Sequence, residues 1–358
     1  MKKFVSIISI VLVLVLTATN SFAAGNKTQQ VQEKTEQLRN YLYGDYYTAP
    51  EDKFGLENSY DFLLYLLADG GFMRFKESYI NSLREAIEGG QTITADTYAL
   101  AFRCLEKMGE KPEKFELSDK TVISLREKME QAGTELNSPY NAFYVLSLST
   151  DQEYSAAILN SLKNSYTLGK GMDYWGYWVD NTINFAAIFK KYAPKEETLI
   201  NDAFDIIEHS KTDGGYISLK GETEPNSNST ASALFLYSVI NERSLADETY
   251  EMLKEFYNRA DGGYAYTKSE ESNFLASRDV LKAFIYYRDL LEQADSDEND
   301  EQMQRDDILN DLDYTEEEAA SSTTQSTPPT GENIHLPMAV AITGVSLATL
   351  FLVKRKQK

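Results

Sequence analysis

The sequence predicts an all-α protein: helical hairpins recurring about every 48 residues, then an acidic linker and a C-terminal apolar helix. Three observations carry this. A short phrase, Asp-Gly-Gly-aromatic, stands at Asp69-Gly70-Gly71-Phe72, Asp213-Gly214-Gly215-Tyr216 and Asp261-Gly262-Gly263-Tyr264, with separations of 144 and 48 residues. The segments around these phrases carry apolar residues at helical spacing, and β-branched alternation is scarce. Past residue 295 the composition changes to acidic residues and then to Ser, Thr and Pro.

Taken in order, residues 1–23 read as a secretory signal peptide. Lys2 and Lys3 form its basic start, Phe4 to Leu16 its apolar run, and Ser21-Phe22-Ala23 its small-residue cleavage site. Residues 28–42 form a helix with Val31, Leu38 and Leu42 on one face, and Gly44 to Pro50 is a turn-rich stretch. Asn58-Ser59 caps a helix through Tyr60 to Leu67 that leads into the first Asp-Gly-Gly turn. Thr94 starts a helix that Gly109 ends. Helices then follow over Ser118 to Ala132, Pro139 to Leu148, Ala156 to Ser165, Thr182 to Tyr192, Leu199 to His209, Thr230 to Ile240 and Leu275 to Leu291.

The phrase has a local physical reading. Gly-Gly permits positive φ and a tight reversal, Asp closes an Asx-turn, and the aromatic ring anchors the turn. Asp69, Gly70, Gly71, Asp213, Gly214, Gly215, Asp261, Gly262 and Gly263 are therefore expected to be structural turn residues. A degenerate copy is expected at Asp173-Tyr174-Trp175-Gly176-Tyr177. The phrases lack the alternating acidic ligands of a calcium loop.

The chain of 358 residues has a net charge of −21, which disfavours nucleic acid as a partner because phosphate binding wants a basic face. Residues 292–318 hold 13 acidic residues against one Arg. Cys104 is the one cysteine, so no intramolecular disulfide forms, and two His exclude a His-rich metal site. No metal or cofactor is expected. His209 reads as a charge partner at a helix end.

Residues 296–329 are too polar to bury a core and read as a disordered linker. Residues 336–353 hold no charge over 18 positions, long enough to span a bilayer as a transmembrane helix, and Lys354-Arg355-Lys356-Gln357-Lys358 follows as a basic stop. Thr327-Pro328-Pro329-Thr330-Gly331, followed by that span and tail, resembles the Leu-Pro-x-Thr-Gly sorting signal of Gram-positive surface proteins. Pro328, Thr330 and Gly331 match, and Thr327 stands where that family has Leu. The resemblance implies a sortase and peptidoglycan as partners, with cleavage between Thr330 and Gly331. A plain membrane anchor is the other reading of the same segment.

The Asp-Gly-Gly-aromatic turns, with small-residue helices such as Ser229-Thr230-Ala231-Ser232-Ala233-Leu234, resemble the prenyltransferase and squalene-cyclase repeat. The resemblance covers roughly residues 30–295 and implies an α/α toroid whose inner helices line a central cavity. The acid motif Asp-x-Asp-Asp of the terpene cyclases is missing, and Cys104 and His209 do not make the zinc set of the protein prenyltransferases. No catalytic residue is assigned.

Both tryptophans fall in one stretch. Asp173, Tyr174, Trp175, Tyr177, Trp178 and Asp180 are the candidate ligand-binding residues, an aromatic platform bracketed by carboxylates. The same residues also fit a rim packed against its neighbouring repeat, and Asp173 with Asp180 fits an acid–base pair. The function expected is non-catalytic binding of a small molecule, lipid or glycan by a secreted surface protein. A polysaccharide- or isoprenoid-processing enzyme and a protein-interaction scaffold are the alternatives. Carboxylates of raised pKa in a cleft favour the enzyme, an aromatic cavity favours binding, and a plugged one favours the scaffold.

Overall fold

Two kinds of helix alternate along the chain. The computed structural model describes residues 27–44, 54–71, 73–176, 178–218 and 221–296. They belong to the compact unit of residues 1–299, whereas the second unit, 300–358, lies outside them. Also outside are the segments expected to be a signal peptide (1–23), a linker beyond Ser296, the sorting residues Pro328, Thr330 and Gly331, and the span 336–353. No described helix is long and apolar enough to cross a membrane.

The helices are α1 (27–43), α2 (Ser59–Leu67), α3 (Met73–Glu88), α4 (Ala95–Lys107), α5 (Leu125–Gln131), α6 (Ala142–Leu148), α7 (Gln152–Asn164), α8 (Val179–Tyr192), α9 (Glu197–Ser210), α10 (Ser227–Val239), α11 (Arg243–Leu253) and α12 (274–296). This mostly helical architecture agrees with the all-α expectation. Helix α3 follows the first Asp-Gly-Gly phrase, where the sequence reading named none. Helix α5 is shorter than expected, because Phe115–Glu116 (β1) and Val122–Ile123 (β2) pair antiparallel ahead of it. The other strands are equally short: Tyr166–Thr167 (β3) with Gly171–Met172 (β4), and Lys211–Thr212 (β5) with Gly215–Tyr216 (β6).

The odd helices from α7 onward bury a single stripe. In α11 the buried residues are Ala246, Thr249, Tyr250 and Leu253, and in α7 they are Tyr154, Ile158 and Leu162. These are the spacings of a helix with one face on a core. The even helices are buried nearly all round. Helix α10 buries Ser227, Ser229, Thr230, Ala231 and the run Ala233 to Ser238, and α8 buries Val179 and the run Asn181 to Phe189. Such a helix must be covered on every side. Helices α2, α4, α6 and α8 each touch the next even helix, and α5, α7, α9 and α11 each pack on the even helix before them.

Residues of α12 reach those of α1 and α2. Arg278 Nη1 lies 3.7 Å from Asp61 Oδ1, and Thr28 Oγ1 donates to Asp295 Oδ2 at 2.8 Å. The Arg288 guanidinium donates to the Leu67 carbonyl at 3.0 Å and to Asp69 Oδ2 at 3.2 Å.

One module recurs where an odd helix hands over to an even one. The Met172 N–H donates to Thr182 Oγ1 at 3.1 Å, the Tyr216 N–H to Thr230 Oγ1 at 2.9 Å, and the Tyr264 N–H to Ser277 Oγ at 2.9 Å. The residue before each donor is glycine. A Cβ on Gly171 or Gly215 would lie 2.1 or 2.6 Å from that hydroxyl, and both residues have positive φ. A Cβ on Gly263 would meet the Tyr41 ring at 2.5 Å. Asn226 and Asn273 then cap α10 and α12 through bonds from the Ser229 and Ala276 N–H groups, both 2.8 Å.

This module changes the register of the repeat. The third copy is Gly171-Met172, ahead of the degenerate phrase expected at Asp173. The first phrase stands elsewhere: Asp69-Gly70-Gly71 follows the all-round-buried α2, whereas the phrases at 213 and 261 follow α9 and α11. Its positive φ falls on Asp69 (58°), not on a glycine. The 144-residue separation therefore links turns at different junctions. The even helices begin at 59, 95, 142, 179, 227 and 274, so only some intervals approach 48.

Candidate binding cavities

The sequence-predicted platform is divided by the fold. Trp175 sits at φ 56° and is 87% exposed, its ring stacked on Tyr174 at 4.7 Å. Asp173 Oδ1 accepts the Gly176 N–H at 3.2 Å, closing the loop under that pair. The Trp178 indole donates to the Trp175 carbonyl at 3.0 Å, and its ring faces a different cleft. Tyr174 turns its hydroxyl to the Asn137 carbonyl at 3.1 Å, and burial raises its pKa. Asp180 lies in the first turn of α8 and faces a third space. Tyr177 lies outside the described residues. The two indoles thus do not form facing walls of one slot.

The cleft beside Trp178 has a volume of about 700 Å³ and includes Lys170, Asp202, Asp205, Ile206 and His209 among its walls. Its polar groups are largely engaged. Asp202 accepts the Tyr166 hydroxyl at 2.8 Å and the Gly169 N–H at 3.0 Å, and His209 Nδ1 lies 2.6 Å from the Asp205 carbonyl.

Asp180 faces a cavity of about 30 Å³ shared with Tyr140, Asn184, Ser232, Phe235, Asp279 and Lys282. Burial, and after it the Asp279 carboxylate, pushes the Asp180 carboxyl up to about 6. Burial also raises the pKa of Asp279, against the pull of Arg278 and Lys282. Lys282 is 8% exposed, and burial pushes its pKa down to about 8 although Asp279 opposes the shift. Its ammonium donates to Asn184 Oδ1 at 3.2 Å and lies 3.8 Å from the centre of the Phe235 ring. Asp279 accepts the Asn228 amide at 2.9 Å, and Tyr140 donates to Asn181. One Asp180 oxygen, Oδ1, is buried without a partner. Asn184, Ser232 and Asp279 occupy corresponding positions of α8, α10 and α12, 48 and 47 residues apart. That spacing is a readable signal for a shared polar space.

A separate cavity of about 580 Å³ is walled by Leu63, Leu67, Phe143, Leu146, Tyr192 and Tyr286, with Arg103, Lys107 and Lys191 among its polar residues. Phe143, Phe235 and Tyr286 pack edge to face at 4.9–5.6 Å, Phe143 and Tyr286 lining this cavity and Phe235 the small polar one. Its one carboxylate, Glu106, pairs with Arg103 at 2.7 Å, and Arg103 also donates to Ser147 Oγ at 3.0 Å. Lys191 lies 5.3 Å from the Phe143 ring centre, and burial lowers its pKa. None of these cavity residues was picked out from the sequence.

Among the described residues no group of three or more His, Cys, Asp and Glu could hold a metal. Cys104 is buried, with its thiol 3.5 Å from the Ser59 carbonyl, and burial pushes its pKa up. No protein-family model matches the chain, and no curated protein matches it significantly.

Proposed function

We propose that this is a secreted surface protein whose helical pairs form an α/α toroid that binds a small molecule or lipid without turning it over. The alternation of one-stripe and all-round-buried helices supports an inner and an outer layer. The contacts of α12 with Asp61, Leu67 and Thr28 support a ring in which the last inner helix meets the first. The order Pro328, Thr330, Gly331, apolar span and basic tail supports wall anchoring by a sortase.

The observation that carries the binding reading is the 580 Å³ aromatic-walled cavity, whose one carboxylate is already paired. Its volume is that of ligand sites, and it offers no free acid–base pair. The raised-pKa carboxylates Asp180 and Asp279 favour an enzyme by their chemistry, but their space of about 30 Å³ holds a water or two, not a substrate.

Native mass spectrometry of the chain recovered from its own cell surface tests this reading. A constant mass increment that dissociates on gentle activation is expected, and it should be lost when Leu67→Trp fills the cavity. A bare chain that takes up nothing from a lipid and metabolite extract would overturn it. The wall-released chain should end at Thr330 joined to a cross-bridge peptide. Chains ending at Lys358 in the membrane fraction would replace wall anchoring by a membrane anchor.

A further inference from the structure

We infer that the 580 Å³ cavity takes an amphiphilic anion, its apolar part among Leu63, Phe143 and Tyr286 and its carboxylate or phosphate head against Lys107, Lys191 and the Tyr144 hydroxyl. This rests on the binding reading above and adds the chemical class of the ligand.

The charge of this cavity runs against that of the chain. The chain carries 56 acidic and 35 basic residues, yet this cavity gathers Arg103, Lys107 and Lys191 around one carboxylate. Glu106 is taken by Arg103, which leaves two ammonium groups outside any ion pair among the described residues, Lys107 within reach of the Asp289 charge and Lys191 with none. Among the described residues neither Lys107 nor Lys191 takes part in an ion pair. Lys191 is partly withdrawn from water against Phe143, which disfavours its charge unless an anion arrives.

Helix ends alone offer a simpler account of the cations. Lys107 closes α4 and Lys191 lies in the last turn of α8, where the helix dipole favours positive charge. That account leaves Tyr144 unexplained. Its side chain is 3% exposed, it lines the same cavity, and its hydroxyl makes no hydrogen bond. The Tyr286 phenol lies near it without completing a bond of ordinary geometry. Buried polar groups are rarely left unpaired, and one that is marks a place where a ligand atom or a water completes the set. A hydroxyl donor and two ammonium groups facing an aromatic wall match an anionic head on an apolar body. A cationic head would be repelled by both ammonium groups, and a neutral one would leave Lys191 without a counter-charge.

The test is calorimetric titration of the full-length protein with four probes of equal chain length, each below its micelle concentration: dodecanoate, dodecyl phosphate, dodecanol and dodecyltrimethylammonium. The anions should bind at least about tenfold more tightly than the alcohol, and the ammonium compound most weakly. The Lys107→Gln, Lys191→Gln double variant should weaken the anions about tenfold or more and leave dodecanol unchanged. Tyr144→Phe, which keeps the ring and its packing, should weaken the anions alone. A preference for dodecanoate points to a fatty acid, and one for dodecyl phosphate to a lipid phosphate. Equal binding of all four probes, or anion binding indifferent to both sets of substitutions, overturns the head-group assignment and leaves the binding reading standing. Binding of none, together with a ligand-free native mass spectrum, overturns both.

Discussion

The Arg288 guanidinium donates to the Leu67 carbonyl at 3.0 Å, joining residues 221 positions apart in the chain. The same group reaches Gln32 Oε1 at 3.0 Å and Asp69 Oδ2 at 3.2 Å while its side chain is only 8% exposed. One arginine thus ties α12 to α1, to the end of α2 and to the first Asp-Gly-Gly turn. Arg288→Met keeps the apolar stem and removes these bonds. It should destabilise by roughly 1–3 kcal/mol, the cost of leaving a buried acceptor unsatisfied. Hydrogen exchange should quicken in 27–43 and α12 more than in α8. Unchanged urea unfolding and exchange would show that the guanidinium holds nothing together.

The Gly-aromatic modules make a sharper forecast. Gly215 has φ 133°, and a Cβ there would lie 2.6 Å from Thr230 Oγ1. Gly215→Ala should cost roughly 1–3 kcal/mol. Thr230→Val leaves the Tyr216 N–H without its acceptor and should cost about as much. The two act on one contact, so the double variant should lose less than the sum. Gly262 has φ 84° and open space around its missing Cβ. Gly262→Ala should therefore cost only about 1–2 kcal/mol, from the left-handed backbone alone. Denaturation midpoints of the four variants check this ordering.

Stability should depend on the charge of Asp180. Its folded pKa, about 6, lies above the ordinary 3.8, so the native state keeps the proton longer than the unfolded chain does. This contribution is present at low pH and is lost as pH rises from about 4 to about 6. Its size is on the order of 3 kcal/mol at 1.36 kcal/mol per pKa unit. Asp180→Asn should match the parent near pH 4 and exceed it in melting temperature at pH 7. Lys282 titrates at about 8 and does not enter this window. A constant difference between variant and parent from pH 4 to 7 would contradict the account.

The two tryptophans should behave differently. Trp175 is 87% exposed, and its removal should change stability by less than about 0.5 kcal/mol. Trp175→Ala should also leave ligand retention in the 580 Å³ cavity intact. Loss of the co-purified mass increment in this variant would move the binding site to the rim.

The sequence alone was informative wherever a contact is made within a few residues or within one repeat. The helix ends at Gly109 and Tyr192 and the need for glycine before Tyr216 follow from local backbone geometry, whereas Asn58, read as a cap, makes no side-chain bond to α2. The all-α class follows from apolar spacing. The same local reading misled at Asp69, where an identical phrase serves a different junction, because a turn's composition records its backbone shape and not the two helices it joins.

What only the tertiary structure decided is which residues share a space. Asp180 was legible as a carboxylate near an aromatic stretch, but the carboxylate that perturbs it is Asp279, 99 residues away, rather than Asp173. Lys107, Tyr144 and Lys191 sit in separate helices and carry no common motif, yet they line one cavity. Helical spacing states which side of a helix is apolar. Which residues of distant helices meet depends on how all the pairs pack and on where α12 meets α2, a sum of many weak contacts between segments far apart in the chain.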